Sequence, residues 1–181
     1  ITAVWIAGVV GLQLVLGLAF ALALNEGARW QGALRGLVLV PWATPSVICA
    51  FIFMWLLDGN HGAVNAILMK LGVVSAPVQW LSTPGLSLWA AILALVWHGV
   101  PFFAVMLLAG LQTIADEYYE AAEIDGAGAW ARFRHVTLPQ LVPVTTIVSI
   151  LTLLAALQIF QSVKVLTDGG PGYLTEVPTL R

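Results

Sequence analysis

Long apolar runs alternate with short polar ones along this chain. Asp, Glu, Lys and Arg are absent from residues 1–25, 36–57, 71–115 and 135–163. A helix rises about 1.5 Å per residue, so roughly 20 consecutive apolar residues cross the hydrocarbon of a bilayer. In lipid every backbone polar group must also be satisfied within the helix. The pattern predicts four membrane-spanning helices near residues 2–24, 37–57, 86–111 and 141–163 in an all-α polytopic membrane protein.

Composition agrees, with 60% apolar and 9% charged residues, against about 25% charged in a soluble domain. A net charge of −2 without a basic patch gives no footing for nucleic acid. The first apolar run is too long for a secretory signal, lacks a basic leader and ends in Asn25-Glu26 instead of a small-residue cleavage pattern. Cys49 is the lone cysteine and falls inside an expected span, so disulfides and cysteine metal sites carry no weight.

Charge placement also narrows the chemistry. An ionisable side chain at the bilayer centre costs about 3 kcal/mol and usually marks an ion or proton pathway. The expected spans carry none, which weighs against proton or sodium coupling, although backbone carbonyls of broken helices can hold Na⁺. There is no Gly-x-x-x-x-Gly-Lys-Ser/Thr stretch to bind nucleotide phosphates. His61, His98 and His135 are far apart and belong to no catalytic pattern. The chain is expected to be non-enzymatic, with neither metal nor cofactor of its own.

Between the third and fourth spans lies a charged, glycine-punctuated loop. Residues 116–123 suit one short helix with its acids early, where the helix dipole favours them. Asp125-Gly126 is a turn dipeptide, after which a second helix can run over 127–135 before Pro139, making a helix-turn-helix elbow. Ala121 and Ala122 remove bulk from one patch of it, and Glu117 and Glu120 share the adjacent face. On the fourth span Thr145, Ser149, Thr152 and Ala156 follow helical spacing. Such a face is either a helix-packing seam or a neutral, hydrogen-bonding wall for a polyhydroxylated solute.

The anchors Glu120, Ala121, Ala122, Gly126, Val136, Leu138 and Pro139 resemble the EAA loop of the membrane subunit of bacterial ABC importers. Four further segments resemble the carbohydrate-uptake, maltose-type permeases of that family: 17–25, Val40-Pro41-Trp42, 97–102 as W-x-G-x-P-F, and 166–172 as L-T-x-G-G-P. The resemblance covers most of the chain. It departs at Ala115, where the family often has Pro, which leaves the docking angle of the elbow open.

The resemblance implies a type I importer fold, a single permease domain over 1–181, and a cytoplasmic coupling loop at 112–140. It assigns 58–85 to the extracytoplasmic face, which Lys and Arg counts alone hardly decide. That outer loop, with a possible short helix at 63–71, would meet an extracytoplasmic sugar-binding protein or sit at the membrane surface with Trp80 at the interface. The resemblance also implies pairing with a second homologous permease in the bacterial plasma membrane, and a cytoplasmic ABC ATPase dimer that binds the ATP. Glu120, Ala121, Ala122, Asp125, Gly126, Ala127 and Pro139 would couple to that ATPase. Trp97, His98, Gly99, Thr152, Ala156 and Gln158 are the candidates for the substrate pathway. Pro101 removes a backbone donor and Gly99 bares the chain, so a kink is expected there. Trp97 would stack on a sugar and His98 would hydrogen-bond it, or both would serve packing. Relative to such permeases, the first and last membrane helices are expected to lie outside this sequence. The alternatives are an ABC permease for amino acids, peptides or sugar phosphates, and a secondary transporter or channel.

Overall fold

The computed structural model describes residues 2–25 and 31–157, and every regular element among them is helical. The helices are α1 (Thr2–Asn25), α2 (Gln31–Ala43), α3 (Ser46–Leu56), α4 (Ala63–Lys70), α5 (Leu86–Gln112), α6 (Asp116–Ile124), α7 (Ala129–Arg132) and α8 (Leu138–Leu157). A π-helical turn, Phe133–Thr137, joins the last two.

Helix α5 is the axis of the bundle. Its apolar side chains are buried over most of its length, and α1, α2, α3 and α8 all pack against it. Small residues allow that approach, as is usual between membrane helices. At Gly17 of α1 a Cβ would lie 2.4 Å from the Cβ of Phe103, so only glycine fits. The core divides into two clusters along α5. One gathers Trp5, Val9 and Ala50 around Ile92 and Val96; the other gathers Ala21, Leu141 and Val148 around Phe103 and Leu107.

Three continuous helical stretches, 3–25, 86–112 and 129–155, are long and apolar enough to cross a membrane. The second expected span is different. Instead of one helix over 37–57 it is a pair, 36–43 and 46–56, bent by 94°. The reason lies in Pro41 and Pro45. Pro45 disfavours helical backbone at Thr44 and cannot donate a helical hydrogen bond, and the Thr44 hydroxyl turns back to the Val40 carbonyl at 2.9 Å.

The fourth expected span also begins earlier than its apolar run. No break separates the elbow's second helix from the span, because the π turn, in which the Leu138 N–H reaches back to the Phe133 carbonyl, carries the chain past Pro139. A wider turn of this kind absorbs the missing proline donor that would interrupt an α-helix.

The segment between α3 and α5 is folded around one side chain. Asn65 is buried; its Nδ2 donates to the carbonyls of Gly59 (3.0 Å) and Val78 (2.9 Å), while its Oδ1 accepts from the Val78 N–H (3.2 Å) and the Trp80 indole (2.9 Å). The expected short helix at 63–71 is α4. The Asp58 carboxylate, which accepts the N–H groups of His61 and Asn60, is held below the usual carboxylate range by those bonds.

Candidate functional site

Two regions carry candidate chemistry: the elbow of α6 and α7, and a cavity at the middle of α5. Helix α6 places Asp116 and Glu117 in its first turn, facing the dipole favourably. Its end is a Schellman motif. The Gly126 N–H donates to the Glu123 carbonyl (3.0 Å), and the Ala127 N–H spans the turn to the Ala122 carbonyl (2.8 Å). This closure needs Gly126 at φ +78°, a left-handed conformation that costs a side-chain-bearing residue about 1–2 kcal/mol. Thus the spacing of Ala122, Gly126 and Ala127 has a local meaning: acceptor, hinge residue and donor of one capping turn.

Two side-chain links tie α6 to the second half of the elbow. Arg132 donates to Glu123 at 3.1 Å, and Tyr119 shares a hydrogen bond of 3.0 Å with the buried Thr137 in the π turn. Glu120, Ala121, Asp125, Gly126 and Pro139 are exposed, and Ala122 and Ala127 half-buried. Beside them Ile124 is 88% and Trp130 70% exposed.

The cavity has a volume of about 410 Å³ and is reached by α1, α2, α5 and α8. Gln13, Trp42, His98, Gly99 and Thr152 line it. The α2–α3 break borders it, whereas α5 runs past Gly99 and Pro101 as one continuous helix. At the α2–α3 break the Ile48 N–H goes to the Pro45 carbonyl at 2.9 Å, and the Thr44 carbonyl accepts His98 Nε2 at 3.1 Å. On α5 the Leu95 carbonyl accepts Gln13 Nε2 at 2.9 Å, one turn before Gly99. A Cβ on Gly99 would lie 2.0 Å from that nitrogen, so glycine here makes room for the Gln13 amide. Trp42 stacks on Phe102, with ring centres 6.0 Å apart and planes at 17°.

Of the pathway residues expected from sequence, His98, Gly99 and Thr152 meet at this cavity. Trp97 does not. It lies one residue around α5, meets Phe53 edge-on at 5.6 Å and lines a separate apolar hollow of about 470 Å³ with Leu16, Phe20 and Val38. The aromatic wall of the first cavity is Trp42 instead. Ala156 belongs to α8, beside the cavity-lining Ala155. Gln158 and the segment 166–172 lie outside the described residues, as does 26–30. Gln13 and Trp42 were not singled out by sequence reasoning as lining residues. Gln13 had a signal, being the one polar side chain in the middle of an apolar 24-residue helix. Among the described residues no group of three His, Cys, Asp or Glu could hold a metal ion.

Comparison with known proteins places this geometry. Residues 13–180 match the family model of the binding-protein-dependent transport system inner membrane component. The trehalose/maltose transport system permease protein MalF of Thermococcus litoralis is 46% identical over 166 residues, covering 92% of this chain and 56% of the relative. The sulfoquinovosyl glycerol transport system permease protein SmoG of Agrobacterium fabrum is 39% identical over 162 residues, covering 90% and 52%. This chain therefore spans little more than half the length of these relatives. Among solved structures, a bacterial alginate ABC transporter in complex with an alginate pentasaccharide-bound periplasmic protein superposes with a TM-score of 0.77 at 25% identity, covering 94% of this chain and 60% of that one. A second structure, of a bacterial ABC transporter that imports the acidic polysaccharide alginate, shows the same fold, with a TM-score of 0.77 at 24% identity over 95% of this chain and 63% of that one. Helices, motifs and relatives agree: the chain is a membrane protein and belongs to the family of binding-protein-dependent transport system inner membrane components.

Proposed function

We propose that this chain forms part of the translocation path of an ATP-driven sugar importer of the bacterial plasma membrane, with the elbow as its contact to a cytoplasmic ATPase. The observation that carries this reading is the elbow itself. It is an exposed, two-helix unit with a glycine-closed turn, protruding Ile124 and Trp130, and a second helix that continues into α8 without a break. A surface so built can receive a partner, and a displacement imposed on it passes into the span that borders the cavity.

By this reading residues 112–140 face the cytoplasm and 58–85 the opposite side. A second, homologous permease completes the path, an ATPase dimer binds the ATP, and a binding protein delivers the solute at the outer face. The chain itself carries out no chemical step. Glu120, Ala121, Ala122, Asp125, Gly126 and Ala127 form the docking turn, while Pro139 marks where the elbow passes into α8. The cavity favours a neutral sugar over an acidic one. Its described lining holds amide, hydroxyl, imidazole and indole groups but no Lys or Arg to neutralise a carboxylate, and Trp42 offers a stacking face. Relatives named for trehalose and maltose transport support the same class.

The test is reconstitution of the protein with its partner permease and ATPase in lipid vesicles, with binding protein and a panel of sugars. Stimulation of ATP hydrolysis by one sugar class, lost when Gly126 is altered, is the expected result. Solute crossing with no ATPase bound would sink the proposal and favour a secondary transporter or channel.

A further inference from the structure

Gln13 is only 3% exposed in the middle of an otherwise apolar membrane helix. Its amide cannot be oriented freely. The Leu95 carbonyl can only accept, so the amide presents Nε2 to it at 2.9 Å, and Gly99 is the space that admits this approach. Fixing the nitrogen also fixes the oxygen. Oε1 is buried and has no hydrogen-bond partner, whereas buried acceptors are almost always paired. Among the described residues two other buried polar side-chain atoms share that condition, Trp5 Nε1 and Ser87 Oγ, but neither residue lines the cavity; Gln13 does.

What could supply the missing donor is limited by the neighbours. His98 faces the same cavity, but its Nε2 is committed to the Thr44 carbonyl. Thr152 approaches from α8 as the one hydroxylated residue of the described lining, and the remaining lining is apolar apart from the indole of Trp42 and the bare backbone of Gly99. An uncharged acceptor set in an uncharged, partly aromatic cavity suits an O–H donor. An ammonium group would find no carboxylate there among the described residues.

We propose that Gln13 is a specificity-determining residue of the path, its Oε1 accepting the hydrogen of one particular hydroxyl of the carried sugar. This rests on the sugar-path reading above. The amide then serves as a fixed ruler: Leu95 sets its position, and only a solute with an O–H at the matching place satisfies the buried oxygen. A site built around such a bond rejects the analogue lacking the hydroxyl, because the acceptor is left unpaired.

The experiment measures initial uptake into vesicles holding the full-length complex, with the sugar the wild type carries and each of its monodeoxy analogues. One binding-protein preparation serves every variant, so its own discrimination cancels. The wild type should disfavour one monodeoxy analogue by about tenfold, the scale of one well-placed hydrogen bond. Gln13→Met, of similar volume, should raise KM for the parent sugar by a similar factor with little change in kcat, and should lose the preference against that one analogue. Gln13→Glu, neutral when buried and still able both to donate and to accept, should retain it. Gln13→Asn, which withdraws the oxygen by one methylene, is the second test should the Met variant not assemble; it too should lose the preference. Lowered uptake with the analogue pattern intact would overturn the proposal and leave Gln13 a packing residue. A wild type that carries no sugar would instead overturn the sugar path itself.

Discussion

The elbow and the cavity are built on opposite plans. The elbow is exposed, charged and contiguous: its turn, its acids and both its side-chain links fall within residues 116–137. The cavity is apolar and assembled from α1, α2, α5 and α8, and its helices are tied by two side chains that reach backbone carbonyls, Gln13 to Leu95 and His98 to Thr44. A contiguous unit holds its shape when pushed, whereas a cavity joined by single cross-helix bonds changes shape when one helix shifts. Under the proposed coupling, the first is suited to receive force and the second to respond.

The sharpest way to break this contrast is at Gly126. No atom lies within 4 Å of a Cβ added there, so Gly126→Val costs backbone strain alone, about 1–2 kcal/mol or more for a β-branched residue at φ +78°. Coupled uptake should fall at least tenfold while solubilised protein remains assembled. Gly128→Ala is the control, since Gly128 has φ −68° and equally open space, and uptake should stay near wild type. Equal behaviour of the two variants would reduce the elbow to an ordinary solvated loop.

The same contrast explains what was legible in the sequence. The elbow could be read residue by residue because its spacing is local: acids, then alanines, then Asp125-Gly126. The cavity could not, because residues 13, 42, 98 and 152 meet only through helix packing. Trp97 and His98 are adjacent in sequence but about 100° apart around α5, so one faces the cavity and the other a different hollow. The 94° bend was missed although Pro41 and Pro45 mark it, since an unbroken apolar run outweighed them. The Asn65 hub was invisible because its partners are mostly backbone groups up to 15 residues away.

Next in size is Gly99→Ala. Its methyl would meet Gln13 Nε2 at 2.0 Å, forcing the amide off the Leu95 carbonyl. Overpacking of this kind costs about 1–3 kcal/mol, visible as a lowered melting temperature of the complex in detergent. Gln13→Ala in the same chain should restore part of the loss, a coupling that a double-mutant cycle reads directly. Additive effects would mean that the two residues do not share one space. His98→Leu should cost less, about 1 kcal/mol for one interhelical hydrogen bond, and should loosen the α2–α3 break, detected as faster labelling of a cysteine placed at Thr44 in a Cys49→Ala background. Unchanged labelling would show that the bend holds without His98.

The smallest effects separate the two links inside the elbow. Glu123 and Arg132 form an ion pair whose side chains are 74% and 31% exposed, so Glu123→Gln should cost about 0.5 kcal/mol or less, and raising salt should erase even that. Tyr119→Phe should cost more, about 1 kcal/mol, because it strips the buried Thr137 hydroxyl of its partner, and salt should not change it. Hydrogen exchange of the α6 amides, compared at low and high salt, ranks the two. If the order is as expected, α6 is fixed to the π turn through a buried hydroxyl pair, and the charges on its surface are left for a partner. If the ion pair dominates and salt frees α6, the elbow is held by the same charges that a docking surface would use, and binding a partner there would compete with its own fold.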